Sequence, residues 1–322
     1  MPQATGANGV LTISGAESPA GQVPATPAGQ IVPFSSESLQ RKTALDKSNI
    51  IRQSRDASAP TRGKRDVSGS ISTNLTPNIA RLLMMAFGNV TTTGAGPEYS
   101  HVFKIGDSLP YHTIEKGFTD LGQYFRYFGC KCNKVGFEVN PSGVLPLSMD
   151  FMGMDRSIET ETFDAAAVDI GYEPFNAFSA SIKEGGVDIA IVTSMKWSLE
   201  NNLDGDVYCI GGQGKRYSIP EGATVVSGSI TALFESEALL TKATNGTASS
   251  LEVSVLQGTG LGTEGNEKLM LNIDELIFEE QDPIIKDTKG ILIELPWTAY
   301  WGNGANGTSI MATLLNTQAS AL

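Results

Sequence analysis

Hydrophobic residues alternate with polar residues in short runs along this chain, which is the period of a β-strand with one buried face. In the first clear run, Val67, Gly69 and Ile71 alternate with serines. The same alternation recurs at residues 135–139, 145–151, 195–199 and 269–273. A further apolar run at residues 291–297 predicts a strand that ends at Pro296. These runs predict a mainly β protein.

One segment has the period of a helix instead. Its apolar positions recur at three- and four-residue spacing, which puts them on one face: Ile79, Leu82, Leu83, Ala86 and Phe87. Thr76 suits the N-cap, Pro77 the first helical position and Gly88 the left-handed stop. The pattern predicts a helix over residues 77–87 that lies on a sheet.

A strand followed by a helix start occurs twice in the chain. Residues 67–83 are VSGSISTNLTPNIARLL, and residues 226–240 are VSGSITALFESEALL. The two segments start 159 residues apart in a chain of 322 residues, which is about half its length. A recurrence at half-length indicates that one supersecondary unit is present in each half.

Length and composition divide the chain into three parts. Residues 1–30 are rich in Gly, Ala and Pro, so we expect an extended N-terminal segment that builds no part of the core. Residues 31–165 and 166–322 are predicted to form a first and a second β unit. Many short strands with one short helix in each half predict a β-sandwich or partial barrel, compatible with a tandem duplication.

The net charge of −12 argues against a general DNA-binding protein, which needs a basic surface. Basic residues are concentrated in one segment, opposed there by only Asp46 and Asp56: Arg41, Lys42, Lys47, Arg52, Arg55, Arg62, Lys64 and Arg65. A basic segment on an acidic body favours docking between identical copies. A solvated loop explains the same pattern equally well.

Residues that could carry chemistry are few. The chain has three cysteines and two histidines; Cys130 and Cys132 lack the further ligands of a zinc site, so packed thiols are favoured. Neither His101 nor His112 lies in a nucleophile motif. Glu159 and Glu161 could form a glycosidase pair, but such spacing is common by chance. No catalytic, cofactor-binding or metal-binding residue is predicted.

No apolar stretch approaches the roughly 18 residues of a membrane-spanning helix. The start MPQATGANGV lacks the basic and apolar regions of a secretory signal, so we expect synthesis in the cytoplasm.

Several motifs occur in an order that is typical of one family. They are IVPFSSESL at 31–39, RDVSGSI at 65–71, LLMMAFG at 82–88, the hairpin at 129–153, SMKWSLENNL at 194–203, VVSGSIT at 225–231 and ILIELPWTAY at 291–300. On these motifs the chain resembles the major tail tube proteins of long-tailed, siphovirus-type bacteriophages and prophages, over about residues 29–300.

The resemblance implies a structural virion protein that needs no cofactor and is not an enzyme. Such proteins form rings that stack into the hollow tail tube, through which double-stranded DNA passes during ejection without specific binding. The fold implied is a β-sandwich or barrel with short flanking helices. The other partners implied are tail proteins such as the tape measure and the tail terminator, with no membrane.

The resemblance leaves two possible ring compositions. If each half is a complete tube fold, three chains make a pseudo-hexameric ring; otherwise six chains are needed. In either ring, the eight basic residues of segment 41–65 are candidates for docking between rings. Rival interpretations are a carbohydrate-binding, adhesin-like β-sandwich and another virion protein of the capsid or neck.

Overall fold

The computed structural model describes residues 3–235, 237–285 and 290–321. In these residues the chain forms two α-helices, α1 (Ala80–Phe87) and α2 (Ala238–Thr244), and two 3-10 helices, η1 (Gly6–Asn8) and η2 (Ala177–Ser179). The strands are β1 (Gly9–Ala16), β2 (Gln30–Ile31), β3 (Ser36–Glu37), β4 (Gln40–Asp46), β5 (Thr61–Asn74), β6 (Gly88–Gly94), β7 (Tyr99–Ile105), β8 (His112–Phe118), β9 (Gln123–Val139), β10 (Pro146–Gly153), β11 (Asp155–Glu159), β12 (Val168–Asp169), β13 (Ala180–Glu184), β14 (Val187–Asp188), β15 (Val192–Glu200), β16 (Val225–Leu233), β17 (Ser249–Leu256), β18 (Lys268–Phe278), β19 (Leu292–Ala299) and β20 (Met311–Asn316).

The strands pair into three connected sheets. An N-terminal sheet has the order β12–β2–β1–β8–β9–β11, in which only the β12–β2 pair is parallel. A central antiparallel sheet runs β4–β5–β10–β9–β15–β16–β19, with the end of β18 added to β19. A C-terminal antiparallel sheet runs β14–β13–β17–β18–β20–β7–β6. The long strands β9 and β18 each belong to two sheets and therefore connect them.

The predicted alternation is confirmed in the central sheet. Val135, Phe137 and Val139 of β9 are buried, and so is the matching face of β15. Phe137 packs edge-on against Trp197 with ring centroids 5.2 Å apart. All three sheets contribute to one hydrophobic cluster. The protein is mainly β, a sandwich-type arrangement with two short helices.

Helix α1 is shorter and more buried than its apolar stripe indicates. It starts at Ala80, so the predicted start at Pro77 with a Thr76 cap is wrong. Pro77 and Asn78 form a turn instead, because the Pro77 carbonyl accepts a hydrogen bond from Asn316 Nδ2 and Asn78 donates to the Ile170 carbonyl. Tertiary hydrogen bonds have replaced the first helical turn.

The end of α1 agrees with the sequence. Gly88 has φ of 83° and its N–H donates to the Met84 carbonyl, as a left-handed helix stop requires. Seven of the eight helical residues are buried, and α1 packs against strands β9, β7 and β6. The helix therefore lies against the sheets, as the sequence predicts, and is part of the core.

Strand β19 does not end at Pro296, contrary to the sequence prediction. It continues to Ala299 and pairs with β16 throughout. The Pro296 carbonyl accepts a hydrogen bond from Glu279 N at 2.8 Å, so the Pro296 nitrogen points to the same side, towards β18. The missing N–H therefore costs no hydrogen bond in the β16–β19 ladder.

The expectation that residues 1–30 build no part of the core is wrong. Strand β1 pairs with β8 over most of its length. Leu11 and Ile13 are fully buried within the main hydrophobic cluster. Only Leu11, Thr12 and Ile13 alternate here, and so short a run does not indicate a strand among the surrounding Gly and Pro residues.

The two halves of the chain share one order of elements and pairings. The corresponding elements are η1 and η2, β1 and β13, β4 and β15, β5 and β16, α1 and α2, β8 and β17, β9 and β18, β10 and β19, and β11 and β20. The pairings correspond too: β5 pairs with β10 as β16 pairs with β19, and β11 pairs with β9 as β20 pairs with β18. The β6–β7 hairpin is the main difference among the described elements.

The repeated sequence VSGSI occupies equivalent places in the two halves. Gly69 lies opposite Phe151 in the β5–β10 pair, and Gly228 lies opposite Trp297 in the β16–β19 pair. A Cβ at Gly228 would clash with the Trp297 indole and the Lys196 carbonyl oxygen. Glycine is therefore required there by close packing.

Replacing Gly228 with alanine should destabilise the protein by about 1–3 kcal/mol, because the added methyl group overpacks the site. The matched control is Gly6→Ala, where an added Cβ meets nothing within 4 Å. Urea unfolding of both variants gives the comparison. Equal losses of stability would contradict the packing explanation.

Candidate functional site

A hairpin extends from the edge of the central sheet and carries the predicted basic segment. Strands β4 and β5 pair from Gln40↔Ser68 to Asp46↔Thr61, and residues 47–60 connect them. We call residues 41–65 the basic hairpin. Its tip carries two adjacent apolar side chains, Ile50 (77% exposed) and Ile51 (98% exposed). The tip thus combines positive charge with an uncovered apolar pair.

Asp155 holds in place the root of the basic hairpin, which is the end where Arg41 and Arg65 lie. Its carboxylate forms ion pairs with Arg41 at 3.1 Å, Arg65 at 3.5 Å and Lys215 at 2.8 Å. Burial alone would raise the pKa of Asp155, but hydrogen bonds from Lys215, the Arg156 backbone and Arg41 outweigh it and lower the pKa below its usual value. The charged carboxylate is therefore a structural element of the hairpin root.

The segment that follows β15 closes on the same root. Arg216 forms an ion pair with Asp66 and donates hydrogen bonds to the carbonyl oxygens of Val67 at 2.8 Å and Gly153 at 2.9 Å. The Tyr208 hydroxyl donates to the Arg65 carbonyl at 3.0 Å. These contacts from the second half of the chain hold residues 65–67 of β5 in place.

The structure divides the eight predicted basic residues into two sets. Arg41 and Arg65 pair with Asp155, and the exposed Lys64 lies 3.6 Å from Asp206. In the described part of the chain, the other five have no carboxylate within ion-pair distance: Lys42, Lys47, Arg52, Arg55 and Arg62. Among the described residues these five are therefore available to pair with another molecule, and the predicted docking role of all eight stays a prediction.

Sequence reasoning missed both Asp155 and the Ile50–Ile51 pair. The first had no local signal, because Asp155 is distant in sequence from the cations that it holds. The Ile50–Ile51 pair could have been found in the sequence, because two adjacent isoleucines interrupt a polar, positively charged loop. Such a pair at an exposed tip is typical of a contact surface.

The two histidines and the cysteines Cys130 and Cys132 are buried in the core. His101 is buried, with Thr92 at 2.8 Å from Nδ1 and Asn316 at 3.0 Å from Nε2. Burial lowers the pKa of His112 to about 4, so it is neutral at pH 7. Burial likewise raises the pKa values of the Cys130 and Cys132 thiols.

Glu159 ends β11, and Glu161 lies exposed beyond it, where its carbonyl accepts a hydrogen bond from Arg126. Among the described residues, no three His, Cys, Asp or Glu side chains are grouped so that they could hold a metal ion. The helices described here are too short to cross a membrane.

Comparison with known families gives a match over most of the chain. The family described as phage tail tube protein matches residues 6–299. The chain belongs to the phage tail tube protein family. The resemblance seen in the sequence motifs is thus confirmed at the level of the family. No curated protein matches the chain.

Family membership makes this tail tube protein a structural component of a phage tail, and hence of the virion. The family also implies self-assembly together with other tail proteins. The surfaces that serve such assembly must lie outside the core. The basic hairpin meets this requirement, since its tip is exposed while its root is fixed.

Asp155→Asn should loosen the basic hairpin and destabilise the protein by about 2 kcal/mol at pH 7, because three cations lose a partly buried partner. Arg41, Arg65 and Lys215 would then face one another uncompensated. Hydrogen exchange of β4 and β5, with urea unfolding, measures both effects. Glu161→Gln, at an exposed carboxylate, is the control and should be neutral.

The stabilisation by Asp155 should depend on pH. Because the folded-state pKa lies below the usual value of an aspartate side chain, the contribution is complete above that usual value and disappears as the pH falls through the folded pKa. Wild type and Asp155→Asn should therefore differ in stability at pH 6, and the difference should shrink as the pH is lowered into the acid range. A constant difference down to low pH would contradict the assignment.

Proposed function

We propose that the tail tube protein forms closed rings that stack into the hollow tube through which double-stranded DNA passes during ejection. The observation that carries this proposal is the family match over residues 6–299. The mainly β fold supports it, because pairing strand edges between copies leaves no exposed edge within a ring. The proposed role is structural, with no catalysis and no cofactor.

The charge of the chain suits a DNA conduit. A net charge of −12 disfavours DNA binding, since each phosphate neutralised by a cation adds affinity through counterion release. A wall that repels phosphate lets the duplex slide. In the proposed assembly the partners beyond the chain itself are other tail proteins, such as the tape measure inside the tube and the terminator at its end.

We propose that the basic hairpin docks on an acidic surface of the adjacent ring. Its five basic residues without a carboxylate partner among the described residues supply charge complementarity, and Ile50 and Ile51 supply apolar area to bury. Asp155 holds Arg41 and Arg65 within its own chain, so these two are not needed for the contact with a second molecule.

We propose three chains in each ring. The corresponding elements and pairings of the two halves support two equivalent units per chain, so three chains provide a pseudo-hexameric ring of six units. In this arrangement the first unit includes η1 and β1, so it extends to the N-terminal side of the predicted boundary at residue 31.

Electron microscopy of the purified chain at high concentration tests the assembly. Hollow tubes with a regular axial repeat are expected, with end views that show three chains arranged with pseudo-sixfold symmetry. Dispersed monomers under all conditions would contradict the proposed ring. Rings of six chains would contradict the proposed number of chains per ring.

Reversing Arg52, Arg55 and Arg62 to glutamate should stop tube growth while leaving the fold intact, because these side chains have no carboxylate partner among the residues that the structure describes. The matched control replaces the same three residues with lysine, which keeps the charge. Electron microscopy gives tube length, and circular dichroism checks the fold. Normal tubes from the glutamate variant would refute docking by the basic hairpin.

A further inference from the structure

We propose that each chain docks on the adjacent ring through the basic hairpin alone, while the equivalent connection of the second unit supports that hairpin from within its own chain. A ring of three chains then presents three docking hairpins, although it contains six units. The proposal rests on the stacked rings of the proposed function.

The two connections occupy equivalent places in the two units. The repeated VSGSI sequences align β5 with β16, and with them β4 with β15. In this alignment residues 43–65, the first connection, correspond to residues 201–224, the second connection. They contain 23 and 24 residues. The two connections therefore differ in path and hardly in length.

The two paths separate at the end of the shared ladder. The β15–β16 ladder stops at Glu200↔Val225, whereas β4 and β5 continue to pair beyond the equivalent point and project as a hairpin. The next residue, Asn201, is buried and donates hydrogen bonds to the carbonyl oxygens of Ala86 and Cys132, both at 3.0 Å. These bonds tie the second connection to the core at the place where the first connection leaves it.

The second connection is packed onto the body of the protein. Leu203 and Ile219 are buried, and they form a small apolar cluster with Leu109. Lys131 of β9 forms an ion pair with Glu221 at 2.6 Å. By contrast, nearly all residues at the tip of the basic hairpin are exposed. The second connection is therefore held within its own chain, and the hairpin tip is not.

Residues of the second connection cover the edge of β5 that β10 leaves free. The β5–β10 ladder ends at Gly153↔Val67. Beyond this end, Arg65 donates its N–H to the Gly214 carbonyl at 2.7 Å, and its carbonyl accepts a hydrogen bond from the Tyr208 hydroxyl at 3.0 Å. Both backbone groups of Arg65 are thus bonded to the second connection, which supports β5 where it projects from the sheet.

The charges of the two connections differ as well. The first connection carries six basic and two acidic side chains, whereas the second carries two basic and three acidic ones. Both basic side chains of the second connection are paired within the chain, Lys215 with Asp155 and Arg216 with Asp66. Charge complementarity to an acidic surface therefore favours docking by the basic hairpin and not by the second connection.

Three docking hairpins give the contact between rings a lower symmetry than six would give. Six equal hairpins would let neighbouring rings turn relative to each other in steps of one unit. Three hairpins allow only steps of one chain, which contains two units. The contact between rings is therefore threefold, even though each ring is pseudo-hexameric.

Electron microscopy of assembled tubes shows the contacts between rings directly. Three bridges of density are expected between successive rings, each formed by residues 47–60 of one chain. Six equal bridges, or bridges formed by the second connection, would overturn the proposal while leaving the tube, and hence the proposed function, intact. Absence of tubes from the unmodified chain would overturn the proposed function and this proposal with it.

Substitution of exposed isoleucines provides a second test. Ile50→Ser combined with Ile51→Ser should raise the concentration needed for tube growth about tenfold, because two apolar side chains are no longer buried on docking. The matched control is Ile210→Ser in the second connection, which should leave that concentration unchanged although Ile210 is fully exposed. An equal effect of Ile210→Ser, or no effect of the double variant, would overturn the proposal.

Hydrogen exchange of the Arg65 amide tests the support of the hairpin root. Tyr208→Phe should speed this exchange about fivefold, because Arg65 loses one of its two hydrogen bonds to the second connection. The matched control, Tyr217→Phe, removes the hydroxyl group of an exposed side chain in the same connection and should have no effect. Unchanged exchange in Tyr208→Phe would refute the supporting role.

Discussion

The antiparallel pairing of β9 with β15 determines the form of the whole protein, because it unites both halves of the chain in one sheet. The same β9 also belongs to the N-terminal sheet, where it pairs with β8 and β11. Burial of Phe137 and Trp197 at this joint links both halves to one core. A change in this ladder would displace the central sheet, the hairpin at its edge and the surfaces proposed for assembly.

Charge and apolar area have separate roles in this protein. The core is mainly apolar, and burial within it keeps His112 neutral at pH 7. Ion pairs concentrate where segments from the two halves meet, as at Asp155 and Arg216. Five exposed basic residues of the basic hairpin have no carboxylate partner among the described residues, in a chain that is acidic as a whole. This division is expected of a protein whose folding is complete before its copies meet.

Much of the fold could be predicted from the sequence, because alternation records burial directly. Strands such as β10 and β15 follow it closely. The first half of β9 does not alternate, since residues 129–132 are all buried where the strand passes from one sheet to another. The start of α1 was missed because Asn316, far along the chain, holds the Pro77 turn. Likewise the positive charge of the basic hairpin could be predicted from the sequence. The pairing of Arg41 and Arg65 with Asp155 could not, because these residues are far apart in the sequence.

The fixed root of the basic hairpin has a consequence for the speed of assembly. A long loop that ordered only on docking would lose conformational entropy at every addition, at about 1–2 kcal/mol for each residue. Here β4, β5 and Asp155 order residues 41–46 and 61–65 during folding. An incoming copy then orders only the connection at residues 47–60, so less of its binding free energy is lost to ordering the chain. A growing polymer made of such pre-organised subunits can elongate quickly even where each individual contact is weak.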